Sequence, residues 1–322
     1  MDIERERGIT IKMQPVRMKY VLDNISYTLN LIDTPGHVDF SYEVSRALAA
    51  VEGAVLLVDA SKGIQAQTIA NLELAKKQNL VIIPAVNKVD LPEARVEETV
   101  EELANLLSID KNDVLKISAK SGLNVSLVLE QVIKRVPPPK EENNGFKALI
   151  FDSDYDSYKG VIAYVRVEEG EISSKETIEL FASGFKTEIK EVGYFFPELT
   201  PQKTIKSGEI GYIATGIKEP GKVKVGDTIV KSRSSNSLPL EGYRDPQPVV
   251  FASLYPEKAD DFIILKDALN KLRLSDPALM FEQESRVALG RGFRCGFLGT
   301  LHIEIVSEWL MREYNLELVI ST

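Results

Sequence analysis

Asp33-Thr34-Pro35-Gly36-His37 places a carboxylate, a glycine and a histidine directly after an apolar run, Leu29, Leu31 and Ile32, that predicts a buried strand. In an open parallel sheet, ligands bind at the carboxyl ends of strands. Each residue has a task if the ligand is a nucleoside triphosphate with magnesium. Asp33 would hold the ion through a water, and the Gly36 amide could approach the terminal phosphate because no Cβ blocks it. His37 could orient an attacking water. The simpler reading is a turn of ordinary turn formers with a surface histidine, and a short motif gains weight only from its context.

That context comes from three further segments. Arg7-Gly8-Ile9-Thr10 follows alternating charges at Glu4, Arg5 and Glu6. It reads as a solvated, mobile segment or as a switch loop, with the Thr10 hydroxyl on magnesium and its amide on the terminal phosphate. Asn87-Lys88-Val89-Asp90 ends a second apolar run, Val81 to Val86. The Asp90 carboxylate can accept two hydrogen bonds from the N1 and N2 edge of guanine, where adenine offers neither donor. Asn87 can bond the purine and brace nearby loops, and the Lys88 stem can lie over the base. A charged hydrogen bond is worth about 1.5–3 kcal/mol, so the motif favours GTP over ATP. Finally, Ser118-Ala119-Lys120 follows the short run Val114 to Ile117, and the Ala119 amide could meet guanine O6. The order and spacing of the four segments point to a guanine-nucleotide site.

The elements that must position these residues can be read from periodicity. Residues 17–32 predict two strands joined by a turn at Asp23-Asn24, and residues 38–48 a helix. Val55 to Val58 predicts a strand buried on both faces, residues 66–78 a helix, and Pro92-Glu93 the start of another. Pro137-Pro138-Pro139-Lys140 ends this region with a stiff linker. From Phe146 to about Lys231, short β-rich runs separated by turns predict a small barrel. Within it, the acidic stretch Asp152 to Tyr158 reads as a surface loop rather than a calcium cluster, because its acids lack a ligand spacing. A polar segment from Ser232 and the prolines 239, 246 and 248 mark a second boundary. The remainder reads as strand, helix, strand, strand, helix, strand, a ferredoxin-like split unit. Three domains are therefore expected: 1–140 with an incomplete doubly wound sheet of the P-loop GTPase type, 141–243 a β-barrel, and 244–322 ferredoxin-like. Arg286, Arg291 and Arg294 fall on or between the middle strands of the last. They read as solvated turn arginines, with RNA phosphate contacts as the sharper alternative. His302 begins a helix with no nominated carboxylate partner, and Trp309 and Leu310 read as helix packing.

Composition bounds the classes. With 322 residues, 44% hydrophobic and 27% charged, the chain has enough apolar material for two or three folded domains. Its single cysteine, Cys295, excludes an internal disulfide framework and suits a reducing compartment. No apolar run approaches the roughly 20 residues of a membrane span, and the amino terminus is charged where a signal peptide is apolar. A cytoplasmic location is expected, and the Asn-x-Ser triplets at Asn24 and Asn124 then carry no glycosylation meaning. The net charge of −9 argues against a generic polyanion binder and leaves room for a local basic contact within a larger assembly.

The four segments together resemble the translational GTPases, and the resemblance covers nearly the whole chain. Arg7 to Thr10 looks like the first switch of that family, Asp33 to His37 like the second, and Asn87 to Asp90 and Ser118 to Lys120 like its guanine-reading motifs. Asp59 to Thr68, Asn87 to Pro92, Phe151 to Gly160 and Gly292 to Gly299 resemble its elongation factor 4 (LepA) branch, with elongation factor G as the nearest alternative. The resemblance implies GTP hydrolysis gated by the ribosome and a back-translocation or fidelity role in elongation. It implies GTP or GDP and Mg2+ as cofactors, Thr10 and Asp33 on the metal, and His37 positioning the water. The implied partners are ribosomal RNA of both subunits and ribosome-bound tRNA. No DNA and no obligate protein partner are indicated, a monomer is expected, and peripheral association with the cytoplasmic face of the cell membrane stays open. One departure is serious. The family's Gly-x-x-x-x-Gly-Lys-Ser/Thr loop lies ahead of the first switch, and this sequence starts after that point. The near match Gly216 to Val223 has no hydroxyl for magnesium and precedes a strand pattern. The expectations are that Met1 is an internal methionine of a longer protein and that this polypeptide binds GTP weakly. A module that occupies a ribosomal factor site without hydrolysis is the rival reading of a different class.

Overall fold

The computed structural model describes residues 2–140, 145–232, 238–240, 247–276 and 278–321. The boundary expected after Lys140 and the one expected near residue 243 both fall on residues outside that set. Contacts divide the chain into two compact units. One is Thr10–Glu141 with Tyr194–Leu199, and the other is Met1–Ile9, Glu142–Gly193 and Thr200–Thr322.

In the first of these, β1 (Gln14–Leu22) and β2 (Ile25–Asp33) form an antiparallel hairpin in which Leu22 faces Ile25. Its two turn residues, Asp23 and Asn24, both have positive φ, 51° and 63°. That conformation matches the right-handed twist of a hairpin, and Asn and Asp tolerate it. The strand ahead of Asp33 is not the buried one expected. Among the described residues it pairs with β1 alone, and Leu31 is 47% exposed, because a two-stranded ribbon covers neither the second edge nor both faces. The parallel sheet is instead made by β3 (Gly53–Asp59), β4 (Val81–Asn87) and the short β5 (Leu115–Lys116), in the order β3-β4-β5. Ile83, Ala85 and Val86 of the central strand are fully buried. The edge strand β3 buries Val58 but leaves Val55 and Leu57 exposed, which corrects the expectation of two covered faces.

Helices α2 (Ser41–Leu48), α3 (Ala66–Lys77), α4 (Val96–Leu107) and α5 (Val125–Arg135) complete this unit. The start expected for α4 at Pro92-Glu93 is a turn, and the helix begins at Val96. Its Val100, Leu103 and Ala104 share a core with Val58 and Val86, so the helix holds the strand ends from which the site residues emerge.

The other unit opens with α1 (Asp2–Arg7), so the charged start is helical. A β-rich region follows, with β6 (Lys147–Asp156), β7 (Gly160–Glu169), β8 (Glu171–Ser173), β9 (Thr177–Leu180) and β10 (Lys186–Glu188). It continues through β11 (Glu191–Phe196), β12 (Glu198–Gln202), β13 (Thr204–Lys206), β14 (Ile210–Ala214) and β15 (Thr228–Val230). Eight of these pair in the order β10-β9-β15-β6-β7-β14-β11-β12, while β13 pairs with β8. The sheet curls back on itself: the Thr187 hydroxyl of β10 donates to the Thr215 carbonyl just beyond β14, at 2.9 Å. The acidic stretch is not a surface loop. Residues 152–156 continue strand β6, and Asp152 is buried. Asp156 caps the turn into β7 by accepting from the amides of Tyr158 and Lys159, both at 2.7 Å. Gly160, at φ +74°, completes that turn where a Cβ would meet the Ile217 carbonyl oxygen at 2.5 Å.

The last region is β16 (Val250–Pro256), α6 (Phe262–Ser275), β17 (Met280–Arg286), β18 (Gly290–Phe297), α7 (Thr300–Tyr314) and β19 (Leu318–Ser321). The sheet order is β17-β18-β16-β19, antiparallel throughout, which is the split βαβ arrangement. One sheet face packs on α6 and α7 through Leu254, Leu265, Leu269, Phe293, Phe297 and Leu310. Burial in this core pushes the Cys295 thiol up to about 12, which leaves it an inert apolar side chain.

His302 does have a carboxylate partner. Its Nδ1 accepts from the Leu298 amide at 3.1 Å, so the neutral ring carries its proton on Nε2, which faces Asp276 at 2.7 Å. Asp276 lies 26 residues upstream, at the end of α6, so only the tertiary fold makes the pair. Helix α1 is held in the same unit by ion pairs to α7. Arg7 meets Glu304 and Glu308, each at 2.8 Å, and Arg312 donates to Glu6 at 2.9 Å. Among the described residues, no helix is long and apolar enough to cross a membrane.

Candidate functional site

The residues singled out by sequence fall into two clusters, both within residues 10–141. The first gathers around the end of β2. Thr10 lies in the loop ahead of β1, and its hydroxyl donates to Asp33 Oδ2 at 3.4 Å, a long hydrogen bond. A hydroxyl and a carboxylate at that separation are the hard oxygen donors that Mg2+ prefers. A Cβ built on Gly36 would meet nothing within 4 Å, so the backbone there is open to an approaching group. His37 caps the short helical turn Val38–Phe40: its Nδ1 accepts from the Asp39 amide at 3.2 Å. The neutral ring therefore carries its proton on Nε2, and the half-exposed side chain presents that nitrogen away from the cap.

The second cluster sits at the carboxyl ends of β3, β4 and β5. Asn87 Oδ1 accepts from the Lys88 amide at 2.8 Å and from the Ala119 amide at 2.9 Å, tying the end of β4 to the loop after β5. Val89 adds to the tie through its amide, which donates to the Ile117 carbonyl at 3.3 Å, and its side chain packs on the α4 core. A hydrogen bond from the Ser118 hydroxyl, helped by the charge of Lys120, holds the Asp90 carboxyl below its ordinary range. Asp90 is therefore ionised and acceptor-only, as a reader of N–H donors must be.

Two neighbouring contacts complete the cluster. The Ala119 amide is already engaged by Asn87. The Lys88 ammonium is drawn to Asp59 Oδ2 at 2.7 Å, with the Lys88 backbone at φ +63°. Asp59 is the functional candidate that sequence reasoning passed over. Burial by itself would raise its carboxyl, but hydrogen bonds from Lys88 and from the Ser61 hydroxyl and amide outweigh that and bring it to about 2. It faces Asn87 across the β3–β4 ladder. The signal was available: an acid ending one parallel strand beside a lysine that follows the next.

Residues 1–138 match the elongation factor Tu GTP binding domain family, and residues 160–230 match elongation factor Tu domain 2. Over 321 residues, 99% of its length, the sequence is 53% identical to elongation factor 4 of Thermobifida fusca (strain YX). The chain belongs to the translational GTPases. Elongation factor 4 of Paenarthrobacter aurescens (strain TC1) is 53% identical over 320 residues, and that of Alkaliphilus oremlandii (strain OhILAs) 52% over 321. The chain spans about half the length of these curated relatives, 52% of the first two and 53% of the third. A crystal structure from Thermus thermophilus shares the fold of this translational GTPase, with a TM-score of 0.75 at 17% identity. The match covers 100% of this chain and 60% of that one.

Proposed function

We propose that this chain carries the switch and base-reading parts of a ribosome-dependent GTPase that acts in translation elongation. The observation that carries the proposal is the tie at Asn87. One carbonyl oxygen holds both the Lys88 and Ala119 amides beside an ionised Asp90, so the loops after β4 and β5 are set for a purine with N–H donors on its edge. In this reading Asn87, Lys88, Val89, Asp90, Ser118, Ala119 and Lys120 form the guanine side. Thr10, Asp33 and Gly36 form the phosphate side, and His37 Nε2 orients the attacking water. Mg2+ held by Thr10 and Asp33 would neutralise charge that builds on the phosphate oxygens during transfer. The Asn87 oxygen is the brace, and Lys88 is a lid whose ammonium Asp59 fixes.

The three-domain division 1–140, 141–243 and 244–322 is part of the same proposal, as are a cytoplasmic location, a monomeric state and ribosomal RNA and tRNA as partners. The 322 residues contain no Gly-x-x-x-x-Gly-Lys-Ser/Thr, the loop whose backbone amides would cradle the phosphates. Weak binding of GTP by this polypeptide alone is therefore expected. The test is GTP turnover with and without ribosomes, measured on the protein in which these residues occur. Ribosome-stimulated release of phosphate that is lost in His37→Ala supports the reading. Turnover equal in the two proteins refutes it.

A further inference from the structure

The three arginines noted in the last region are strand residues rather than turn residues: Arg286 ends β17, and Arg291 and Arg294 lie on β18. Arg286 and Arg294 stand 3.8 Å from their acids, Glu284 and Glu282. Arg7, at the end of α1, is held far more closely. Its Nε and Nη2 both donate to Glu308 Oε2, at 3.2 and 2.8 Å, and its Nη1 donates to Glu304 Oε2 at 2.8 Å. Glu308 also accepts from Arg312, which donates to both oxygens of Glu6 at 2.9 and 2.5 Å. Five side chains thus form one row of alternating charge: Glu304, Arg7, Glu308, Arg312 and Glu6.

Residues 304, 308 and 312 recur every four positions, so they share one face of α7. Glu6 and Arg7 are neighbours in α1, and both helices belong to the same unit. An isolated surface ion pair contributes little, but planar guanidinium groups bridged by a shared carboxylate fix geometry as well as charge. A six-residue helix does not hold its shape alone, so α1 depends on this row and on the buried Ile3. Gly8, at φ +64°, ends the helix, and the Ile9 amide returns to the Glu4 carbonyl at 3.2 Å. Only Gly8 and Ile9 separate Arg7 from Thr10, whose hydroxyl meets Asp33. Three residues span at most about 11 Å, so fixing Arg7 restricts where Thr10 can go.

We infer that Arg7 is a positioning residue for the first switch: the acidic stripe of α7 anchors it, and the anchor narrows the conformations from which Thr10 closes on magnesium and the terminal phosphate. The inference rests on the proposed role of Thr10. Arg7 acts through that residue rather than on the nucleotide. With the anchor lost, the closed arrangement is a smaller fraction of the ensemble, and a ligand that needs it binds more weakly in proportion.

Two measurements test this. The first needs no nucleotide. Trypsin must take the Arg7 side chain into its own pocket to cut the Arg7–Gly8 bond, so the cut follows the population in which the anchor is open. In the 322-residue chain, Glu304→Gln with Glu308→Gln should speed that cut about fivefold, as should raising NaCl from about 0.05 to 0.5 M with the unmodified chain. Lys76→Gln, which removes an exposed ion pair in α3, should not. The second compares a non-hydrolysable GTP analogue with GDP, both with Mg2+, on the protein in which these residues occur. Arg7→Ala and the double glutamine variant should weaken the analogue about fivefold and leave GDP unchanged, with Arg7→Lys intermediate. Faster cutting together with that selective loss supports the inference. Cutting indifferent to the acids and to salt overturns the anchor itself. Equal loss of both nucleotides marks a merely structural role and overturns the positioning. Faster cutting with both affinities unchanged also overturns it and leaves the proposed function standing. Analogue binding to the unmodified protein that ignores Mg2+ removes the proposed role of Thr10, and the inference falls with it.

Discussion

The two clusters of the candidate site are built to different degrees. On the base side, Asn87 Oδ1 already receives two backbone amides, Asp59 already receives Lys88 and Ser61, and Asp90 already receives Ser118. On the proposed phosphate side, Thr10 and Asp33 share a long hydrogen bond, Gly36 faces open space, and His37 uses Nδ1 to cap a turn, leaving Nε2 for another partner. The contrast follows from position. The loops proposed to read the base leave adjacent strands of one parallel sheet backed by α4, while Thr10 and Asp33 flank a two-stranded hairpin. A pre-built base side reads identity at low ordering cost. An open phosphate side can differ between nucleotide states, which is what a switch requires.

The largest expected effect would separate the clusters by function. His37→Ala should lower ribosome-stimulated GTP turnover by about 100-fold or more, in the range typical of a positioned proton-handling group, with nucleotide affinity and melting temperature unchanged. Parallel loss of affinity and turnover would show that the histidine belongs to binding, and the contrast would fail.

Next is Asp90→Asn, which exchanges an acceptor-only group for one with a donor facing the guanine edge. Guanine-nucleotide affinity should fall about 10- to 100-fold, the equivalent of one charged hydrogen bond, with no change in adenine-nucleotide affinity. Asn87→Ala removes the shared acceptor. It should cost about 1–3 kcal/mol in urea unfolding by leaving the Lys88 and Ala119 amides without it, and base affinity should fall with stability. Thr10→Val, by contrast, should leave unfolding within about 0.5 kcal/mol, because its one long bond contributes little. Equal destabilisation by the two would erase the asymmetry.

The smallest effect is expected from Asp59→Asn. A partly exposed ion pair is worth at most about 1 kcal/mol, so nucleotide affinity should drop no more than about fivefold. The pH dependence sharpens the assignment. With the folded Asp59 at about 2 and an unfolded aspartate near 3.9, its contribution is fully present above the unfolded value and lost as pH falls through about 2. The stability gap between wild type and Asp59→Asn should therefore hold from neutral pH to about pH 5 and close in acid. A gap that closes near neutrality would assign the effect to another group.

Much of this was legible in the sequence, and the exceptions share a cause. The Asp23-Asn24 turn, the buried run ending at Asn87 and the βαββαβ order were readable because each depends on local periodicity or turn chemistry. What escaped depends on neighbours distant in the chain. Leu29 to Ile32 looked buried because apolar runs usually are, yet sheet pairing gives β2 one partner. The stretch from Asp152 was read as a surface loop because its acids lack a ligand spacing, yet the register with β7 makes Asp152 a covered strand residue. The Asp276 partner of His302 and the α7 partners of Arg7 lie 26 and about 300 residues away. Of the candidate site, the two clusters are built from residues that the sequence motifs themselves nominate. Asp59 was not, since its role exists only where β3 lies beside β4.

The most direct test of the central claim is a paired titration of the chain with GDP and ADP in the presence of Mg2+, repeated for Asp90→Asn. A site pre-built for guanine predicts that GDP binds at least about tenfold more tightly than ADP, even where both are weak, and that Asp90→Asn abolishes the difference. Equal affinity for the two nucleotides, or a preference that survives Asp90→Asn, would contradict it.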